Sequence, residues 1–345
     1  RAEQYTRCLI RELDIYSKTF SFEPCTIYIG GGTPSILSAS CFTTILNSLR
    51  ERISFRRLVE FTVEINPGTL DEQKMAAMQR AGVNRISIGA QSFDNSTLVR
   101  IGRRHTVRHI EQCIRIVRDA GIKNIGLDLI SSIPGINMDL WQKTLDSAIQ
   151  LHPNHVSVYT LTIEPGTIMA KSIAGNKTAM PTDNEQLAAT NRAKSVLQSA
   201  GYSQYEISNY AQPGYECMHN IACWRGMDYF GLGPAASSRI GLSRWTNAPD
   251  INSYCNSLEH GNKPPSTFET LSPRSDALER LIFQFRLNEG VPDETLRKSP
   301  HASEGTLDAV LQRLTADNLI VFQDAKWRLT AKGCRFADFV AAEFV

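Results

Sequence analysis

Five short apolar segments rich in β-branched residues alternate with amphipathic segments through the first half of the chain. The five segments are residues 25–30, 58–65, 83–89, 123–130 and 155–161. A strand, a helix and another strand at this spacing predict right-handed βαβ units, and hence a parallel sheet. Because no nucleotide-binding fingerprint follows the first strand, the pattern favours a TIM-like barrel over a doubly wound sheet.

The amphipathic segments between the predicted strands carry the start and stop signals of helices. Before the segment 70–81, Thr69-x-x-Glu72 has the spacing of a capping box, and Gly82 supplies a stop. Two further helices are predicted over residues 106–120 and 139–150. The first half of the chain is therefore expected to have an α/β fold.

The hydrophobic pattern divides the chain into three segments. Residues 1–165 are expected to form the barrel, 166–265 a less regular extension, and 266–345 a C-terminal α+β domain. In the extension we predict a helix over 184–200, a short strand around 205–207 and a glycine-rich aromatic stretch over 214–238. In the last segment we predict helices over 276–287 and 306–315, a hairpin at LIVFQDAKWRL and a closing helix. That order of elements resembles a winged helix.

Charge argues against nucleic acid as a partner. Residues 266–345 contain ten Lys and Arg against twelve Asp and Glu, a net charge of −2, whereas a DNA-reading module needs a basic face. The whole chain, with 37 basic and 35 acidic side chains, has a net charge of +2. No apolar run is long enough for a membrane span. We therefore interpret the last segment as a structural cap.

The eight cysteines are scattered and include no CxxC pair, which is not the pattern of a zinc ribbon or a disulfide framework. With no secretory signal visible, the cytoplasm is the expected location. The chain opens at Arg1 without Met and enters a helical segment at once, so we expect an upstream segment. That segment would carry any targeting peptide, which leaves the choice between cytoplasm and organelle open.

Glycines and polar residues collect at the ends of the predicted strands, where a parallel barrel has its working face. They are Gly30-Gly31-Gly32-Thr33-Pro34, Glu64, Gln91, Arg103 and Asp128. Each has a plain structural explanation, such as a tight turn, a surface charge or a paired core carboxylate. Together they offer exposed backbone N–H groups, an acid and an arginine for an amino-acid zwitterion, and an acid for ribose hydroxyls. S-adenosylmethionine fits that description.

Five motifs, in this order, are similar to those of the radical-SAM family of oxygen-independent coproporphyrinogen III oxidases. They are YIGGGTPSIL, EINPGTL, NRISIGAQSF, IGRRH and GLDLISSIPG, and the match covers nearly the whole chain. The resemblance implies a partial (β/α)6 TIM-like radical-SAM barrel that binds S-adenosylmethionine. It places Gly31, Gly32 and Thr33 at the methionine end, Glu64 beside the amine, Arg103 at the carboxylate, Gln91 and Asp128 on the ribose side, and Thr162 in the adenine pocket.

A second block, CMHNIACW followed by DYFGLG, resembles the HNxxYW signature of the heme-chaperone branch of that family. The resemblance implies a heme site made by His219, Asn220, Cys223 and Trp224. In that site His219 supplies an imidazole to the iron and Trp224 packs on the macrocycle. The alternative is a His–Asn pair that satisfies loop backbone beside a buried Trp. Cys223 replaces the Tyr of the signature.

The iron–sulfur motif of the family, CxxxCxxC, does not occur in this sequence. The resemblance implies a [4Fe–4S] cluster, whose ligands are expected upstream of Arg1 in a loop after a first barrel strand. The cysteines of this chain do not have the spacing to replace them. For Cys217, His219 and Cys223 we weigh an improvised metal cluster against packing in a loop, and favour packing.

Three functions remain in competition. The first is a heme chaperone on a radical-SAM scaffold, whose partners are heme and heme-accepting apo-proteins. The alternative is an enzyme that decarboxylates coproporphyrinogen III oxidatively with a 5′-deoxyadenosyl radical, in porphyrin biosynthesis. The third is a barrel-fold interaction protein that has lost its cofactors. The HNIACW block favours the chaperone, and the sequence leaves open whether the protein forms a homodimer.

Overall fold

Seven strands form one mostly parallel sheet in the computed structural model, which describes residues 1–164, 166–175, 178–299 and 304–344. The strands are β1 (Thr26–Ile29), β2 (Glu60–Ile65), β3 (Arg85–Gln91), β4 (Asn124–Ser131), β5 (His155–Thr160), β6 (Ser203–Gln204) and β7 (Asn209–Ala211). Their order is β1-β2-β3-β4-β5-β7-β6. The first five are parallel, whereas β7 is antiparallel to β5 and β6. The predicted parallel α/β sheet is confirmed.

Helices α2 to α6 lie between successive parallel strands, as the spacing predicts. The helices up to residue 224 are α1 (Ala2–Ser17), α2 (Ala39–Arg52), α3 (Glu72–Ala81), α4 (Asn95–Arg100), α5 (Val107–Asp119), α6 (Met138–Gln150), α7 (Ile168–Ala174), α8 (Asp183–Ser199) and α9 (Met218–Trp224). The predicted capping box at Thr69 is wrong. Asp71 is the N-cap of α3 and accepts the Lys74 N–H at 2.8 Å, while the Thr69 hydroxyl bonds the Asn66 carbonyl instead.

The two faces of the sheet differ in polarity. On β2, Phe61, Val63 and Ile65 alternate with Glu60, Thr62 and Glu64, and the apolar set belongs to the main hydrophobic core. The same alternation continues on β3, where Ile86 and Ile88 alternate with Arg85 and Ser87. Successive side chains of a strand point to opposite faces. One face therefore packs on the helices, and the other, which we call the inner face, is polar although it is largely buried.

The segment between β5 and α9 departs from its prediction. The strand predicted around 205–207 is wrong, because this stretch joins the short strands β6 and β7. The Glu206 carboxylate accepts the Ser208 N–H at 2.8 Å and the Asn209 side-chain amide at 2.5 Å. These bonds hold a turn at the position where the apolar pattern indicates an extended strand.

Beyond residue 224, the described residues form two small antiparallel sheets and six helices. The elements are β8 (Ser237–Ile240), β9 (Ser243–Asn247), α10 (Ile251–Glu259), β10 (Ser266–Thr270), α11 (Pro273–Gln284), β11 (Val291–Pro292), α12 (Asp293–Arg297), α13 (Glu304–Ala316), β12 (Ile320–Gln323), β13 (Lys326–Leu329), α14 (Ala331–Arg335) and α15 (Ala337–Ala342). The sheet orders are β10-β9-β8 and β11-β13-β12. The predicted single closing helix is wrong, because Phe336 separates α14 from α15.

A buried ion pair joins two of these later elements to each other, and buried hydrogen bonds join them to α1. Arg239 of β8, only 3 % exposed, pairs with Asp276 of α11 at 2.5 Å. Glu12 of α1 is fully buried and accepts three hydrogen bonds. Its donors are the Gly233 N–H, the Asn247 amide and the Tyr254 hydroxyl.

In the described parts of the chain, no helix combines the length and the apolar character that crossing a membrane requires.

Candidate functional site

The glycine-rich loop after β1 is open on one side and anchored on the other. At Gly30 a Cβ atom would lie 2.6 Å from both Glu64 Cδ and Tyr28 Cε1, so only glycine fits. Gly31 and Gly32 have φ of +77° and +152°, and no heavy atom lies within 4 Å of the position of a Cβ. Backbone N–H groups in such a loop are accessible to a ligand.

Glu64 lies at the carboxyl end of β2, beside this loop. Its Oε1 accepts the Tyr28 hydroxyl at 2.7 Å. Burial raises the pKa of Glu64, with a contribution from the Asp128 carboxylate, while hydrogen bonds from Tyr28 and the Gly31 N–H oppose the rise. A ligand cation would stabilise the ionised form of Glu64.

Asp128 lies on the same inner face, on β4. Both of its carboxylate oxygens are 3.2 Å from the Ser87 hydroxyl. Burial raises the pKa of Asp128, against hydrogen bonds from Ser157 and Ser87 and the charge of Arg85. In the register, Glu64 aligns with Ser87 and Ser87 with Gly126, so Asp128, two residues after Gly126, projects from the next position on the inner face.

The other predicted cofactor residues lie at the end of a strand or in the segment that follows one. Gln91, 8 % exposed, has a φ of +66° at a register shift between β3 and β4, a strained backbone of the kind that concentrates at functional sites. Thr33 accepts the Asn66 amide at 2.7 Å, which ties the glycine loop to the end of β2. Arg103 is half-buried and burial lowers its pKa. Thr162 is exposed, two residues beyond β5.

Helix α9 carries the predicted heme residues and is anchored on the inner face at the opposite end of β2. The Glu60 carboxylate, 4 % exposed, accepts the Met218 N–H at 2.9 Å and the His219 N–H at 3.1 Å. The Cys217 thiol lies 3.5 Å from the same carboxylate. Burial raises the pKa of Cys217 to about 12, so the thiol is protonated at neutral pH.

His219 is held by two residues of β1. Its Nδ1 lies 3.1 Å from the Thr26 hydroxyl, and its ring stacks on Tyr28 with centroids 4.8 Å apart and planes 24° apart. Its Nε2 faces the Cys223 thiol at 3.9 Å. Burial lowers the pKa of His219, with a contribution from the Arg85 charge and against that of Glu60. The imidazole is therefore neutral at physiological pH, the form that coordinates a metal.

The remaining two residues of the predicted heme site differ in their surroundings. The Trp224 ring is covered on one face by Arg286, whose Cζ lies 4.5 Å from the ring centroid, and Phe283 packs against its edge. The indole N–H of Trp224 is buried and has no partner within the described parts of the structure. Asn220 is partly buried, and its backbone N–H bonds the Cys217 thiol.

Four further polar side chains of the inner face were missed by the sequence analysis. Each has a buried polar atom without a hydrogen-bond partner among the described residues: Thr62 Oγ1, Arg85 Nε, Asn124 Oδ1 and His155 Nδ1. They lie on four adjacent strands, and Thr62, Arg85 and Asn124 are register neighbours. Unpaired buried polar atoms are rare in native proteins. The inner face is thus a polar interior between the glycine loop and α9.

The donor set fits S-adenosylmethionine, because an uncrowded glycine loop, two partly buried acids and a half-buried arginine are present. It does not fit an iron–sulfur cluster. Within residues 1–164, 166–175, 178–299 and 304–344, no three His, Cys, Asp or Glu side chains are grouped to hold a metal ion. Cys217 bonds Glu60 while Cys223 faces His219. No chemical step is therefore derived through a cluster.

Two family models match the chain. The Radical SAM superfamily model matches residues 13–148, and the HemN C-terminal domain model matches residues 271–336. The second match lies in the part of the chain for which the sequence predicts a separate C-terminal domain. The boundary at residue 265 stays a prediction, and β10, just beyond it, pairs with β9.

Curated relatives and a solved structure are similar over most of the chain. "Heme chaperone HemW" of Lactococcus lactis is 30% identical, over 99% of this chain and 89% of the relative. The protein of the same name from Synechocystis is 33% identical, over 88% of this chain and 72% of the relative. The structure of coproporphyrinogen III oxidase (HemN) from Escherichia coli, described as a radical SAM enzyme, superposes with a TM-score of 0.84 at 22% identity. It covers 99% of this chain and 83% of the oxidase, and it confirms the fold.

Proposed function

The chain belongs to the heme chaperone HemW family of radical-SAM proteins, and from that premise we propose that it binds heme through His219 and delivers it to apo-proteins. The observation that carries the proposal is the state of His219. Thr26 bonds one ring nitrogen, Tyr28 supports one ring face, and burial keeps the imidazole neutral. In the tautomer in which Nδ1–H donates to the Thr26 hydroxyl, Nε2 keeps its lone pair for iron.

The anchoring of α9 supports this assignment. Glu60 fixes the first two N–H groups of the helix, so His219 is presented by a positioned element rather than by a loose loop. Pre-organised ligands lose less entropy when they bind. Displacement of the Cys223 thiol, 3.9 Å from Nε2, would open the coordination position.

At the other end of the inner face, the proposal assigns S-adenosylmethionine to the glycine loop. Glu64 would hold the ammonium group, Arg103 the carboxylate, Gln91 and Asp128 the ribose side, with the Gly31, Gly32 and Thr33 backbone along the methionine and Thr162 beside adenine. In the radical-SAM family this cofactor is the source of radical chemistry. The residues of this chain bind and orient the cofactor and keep Glu64 and Asp128 away from bulk water.

An anaerobic hemin titration followed by absorbance tests the heme assignment. We expect saturable, stoichiometric binding with a shifted Soret band, and a loss of at least about tenfold in affinity in His219→Ala, because the iron loses its axial imidazole. His260→Ala is the matched control, since His260 is exposed and lies at the end of α10.

Circular dichroism of both variants tests whether each is folded. Weak, nonsaturating uptake that is identical in wild type and His219→Ala would contradict the heme assignment. Turnover of coproporphyrinogen III to protoporphyrinogen by the cluster-reconstituted protein would instead favour the oxidase.

A further inference from the structure

We propose that Tyr28 couples the two ends of the inner face, so that S-adenosylmethionine bound at Glu64 tightens the binding of heme at His219. The inference rests on the proposed function and adds a regulatory property to it. Tyr28 is then a positioning residue, which acts on the heme through His219.

The geometry around Tyr28 carries the proposal. Its hydroxyl donates to Glu64 Oε1 at 2.7 Å, and its ring stacks on His219 at 4.8 Å between centroids. Among the described residues that hydrogen-bond or stack on His219, Tyr28 alone also bonds Glu64. Thr26 and Glu60 also contact His219, but neither bonds Glu64.

The packing around Tyr28 is close, so a change in the position of Glu64 moves the Tyr28 ring as well. Gly30 packs closely against both Glu64 and Tyr28, since a Cβ there would lie 2.6 Å from each side chain, so neither side chain has room to move toward the glycine loop. The His219 ring is held on its other side by the bond to Thr26, within a helix fixed by Glu60. A reorientation of the Tyr28 ring therefore changes the surface against which the imidazole is placed.

The sign of the coupling follows from charge. Without a ligand, Glu64 is partly buried beside Asp128 and forms no ion pair among the described residues, although the Arg85 charge acts on it from beyond ion-pair distance. A ligand ammonium at Glu64 holds the carboxylate in its ionised form, and a hydroxyl that donates to a carboxylate makes a stronger, shorter bond. That bond fixes the Tyr28 ring, which pre-organises His219 for iron. By linkage, heme must tighten S-adenosylmethionine by the same factor.

The test is the dissociation constant of hemin for the full-length, cluster-reconstituted protein, with and without saturating S-adenosylmethionine. We expect the cofactor to lower this constant about fivefold in the wild type, within the usual range of coupling between sites. In Tyr28→Phe the stacked ring remains but the bond to Glu64 is gone, so the ratio falls to about one. Tyr28→Leu also removes the stacking and weakens hemin binding itself.

A matched control and the reciprocal measurement complete the experiment. Tyr5→Phe removes a hydroxyl on α1, far from the inner face, and keeps the wild-type ratio. Equilibrium dialysis of S-adenosylmethionine with and without hemin gives the same factor as the hemin titrations. An unchanged hemin constant in the wild type, or a wild-type ratio in Tyr28→Phe, overturns the coupling while heme binding stands. Absence of saturable hemin binding in the wild type overturns the proposed function as well.

Discussion

Two carboxylates of this protein, Glu12 and Glu64, differ in the hydrogen bonds that they accept. Glu12 is fully buried and accepts three hydrogen bonds, from a backbone amide, a side-chain amide and a phenol. Glu64, at the carboxyl end of a strand, accepts one side-chain bond and keeps acceptor capacity free. The first is a structural carboxylate that links α1 to later elements, and the second is available to a ligand.

The Glu12 carboxylate makes stability depend on pH in a predictable direction. Burial raises the pKa of Glu12 in the folded state above its ordinary value near 4.5. The folded protein therefore binds this proton more tightly than the unfolded chain does, and stability falls as pH rises from about 4.5 through the folded pKa. Each tenfold difference in proton affinity between the two states corresponds to about 1.4 kcal/mol.

Urea unfolding of the wild type and Glu12→Gln between pH 4.5 and 8 tests this. We expect the free energy of unfolding of the wild type, relative to that of Glu12→Gln, to decrease as pH rises. Other buried acids such as Glu64 and Asp128 titrate in both proteins and cancel in the difference. Glu3→Gln, an exposed change on α1, should leave the difference from wild type flat. A difference for Glu12→Gln that stays constant or grows with pH would be inconsistent with this assignment.

Helix α9 is held at its first turn by a residue that is distant in the sequence. Glu60 accepts the N–H groups of Met218 and His219, and its strand lies more than 150 residues earlier in the chain. Hydrogen bonds to a charged group contribute about 1.5–3 kcal/mol each. In Glu60→Gln we therefore expect the amides of residues 218–224 to exchange with deuterium at least about tenfold faster, with α5 unchanged.

Hydrogen exchange with mass spectrometry, read peptide by peptide, measures this directly. Glu72→Gln is the control, because Glu72 is exposed in the first turn of α3. Equal protection of residues 218–224 in Glu60→Gln and the wild type would show that other contacts hold the helix.

The sequence predicts the strands and helices better than it predicts the polar contacts between them. The five parallel strands follow from β-branched runs and glycine stops, whose spacing permits little else. Tyr28 and Glu60 were missed because both lie inside segments that read as apolar strands. The signal that was present is alternation, since Glu60, Thr62 and Glu64 fall on one face of β2. The pairing of Glu60 with α9 has no local signal, because it depends on how distant segments meet.

Across the whole molecule, α9 contacts both the inner face of the sheet and the residues that follow α11. Glu60 and Tyr28 hold α9 from the sheet, while Arg286 stacks on Trp224 from the other side. The Arg225 guanidinium, just after α9, pairs with Glu289 at 3.0 Å. The candidate heme ligand is therefore positioned by three parts of the chain, and the distribution of these contacts is not visible in the sequence block alone.

A heme-transfer assay tests whether the protein delivers heme bound at His219 to an apo-protein. Hemin-loaded full-length protein is mixed with an apo-hemoprotein, and the Soret band of the acceptor is followed over time. We expect stoichiometric transfer that requires His219. In His219→Ala, the acceptor should take up hemin no faster than it takes up hemin that is free in solution. Retention of hemin by the wild type, or transfer that is the same in His219→Ala, would contradict it.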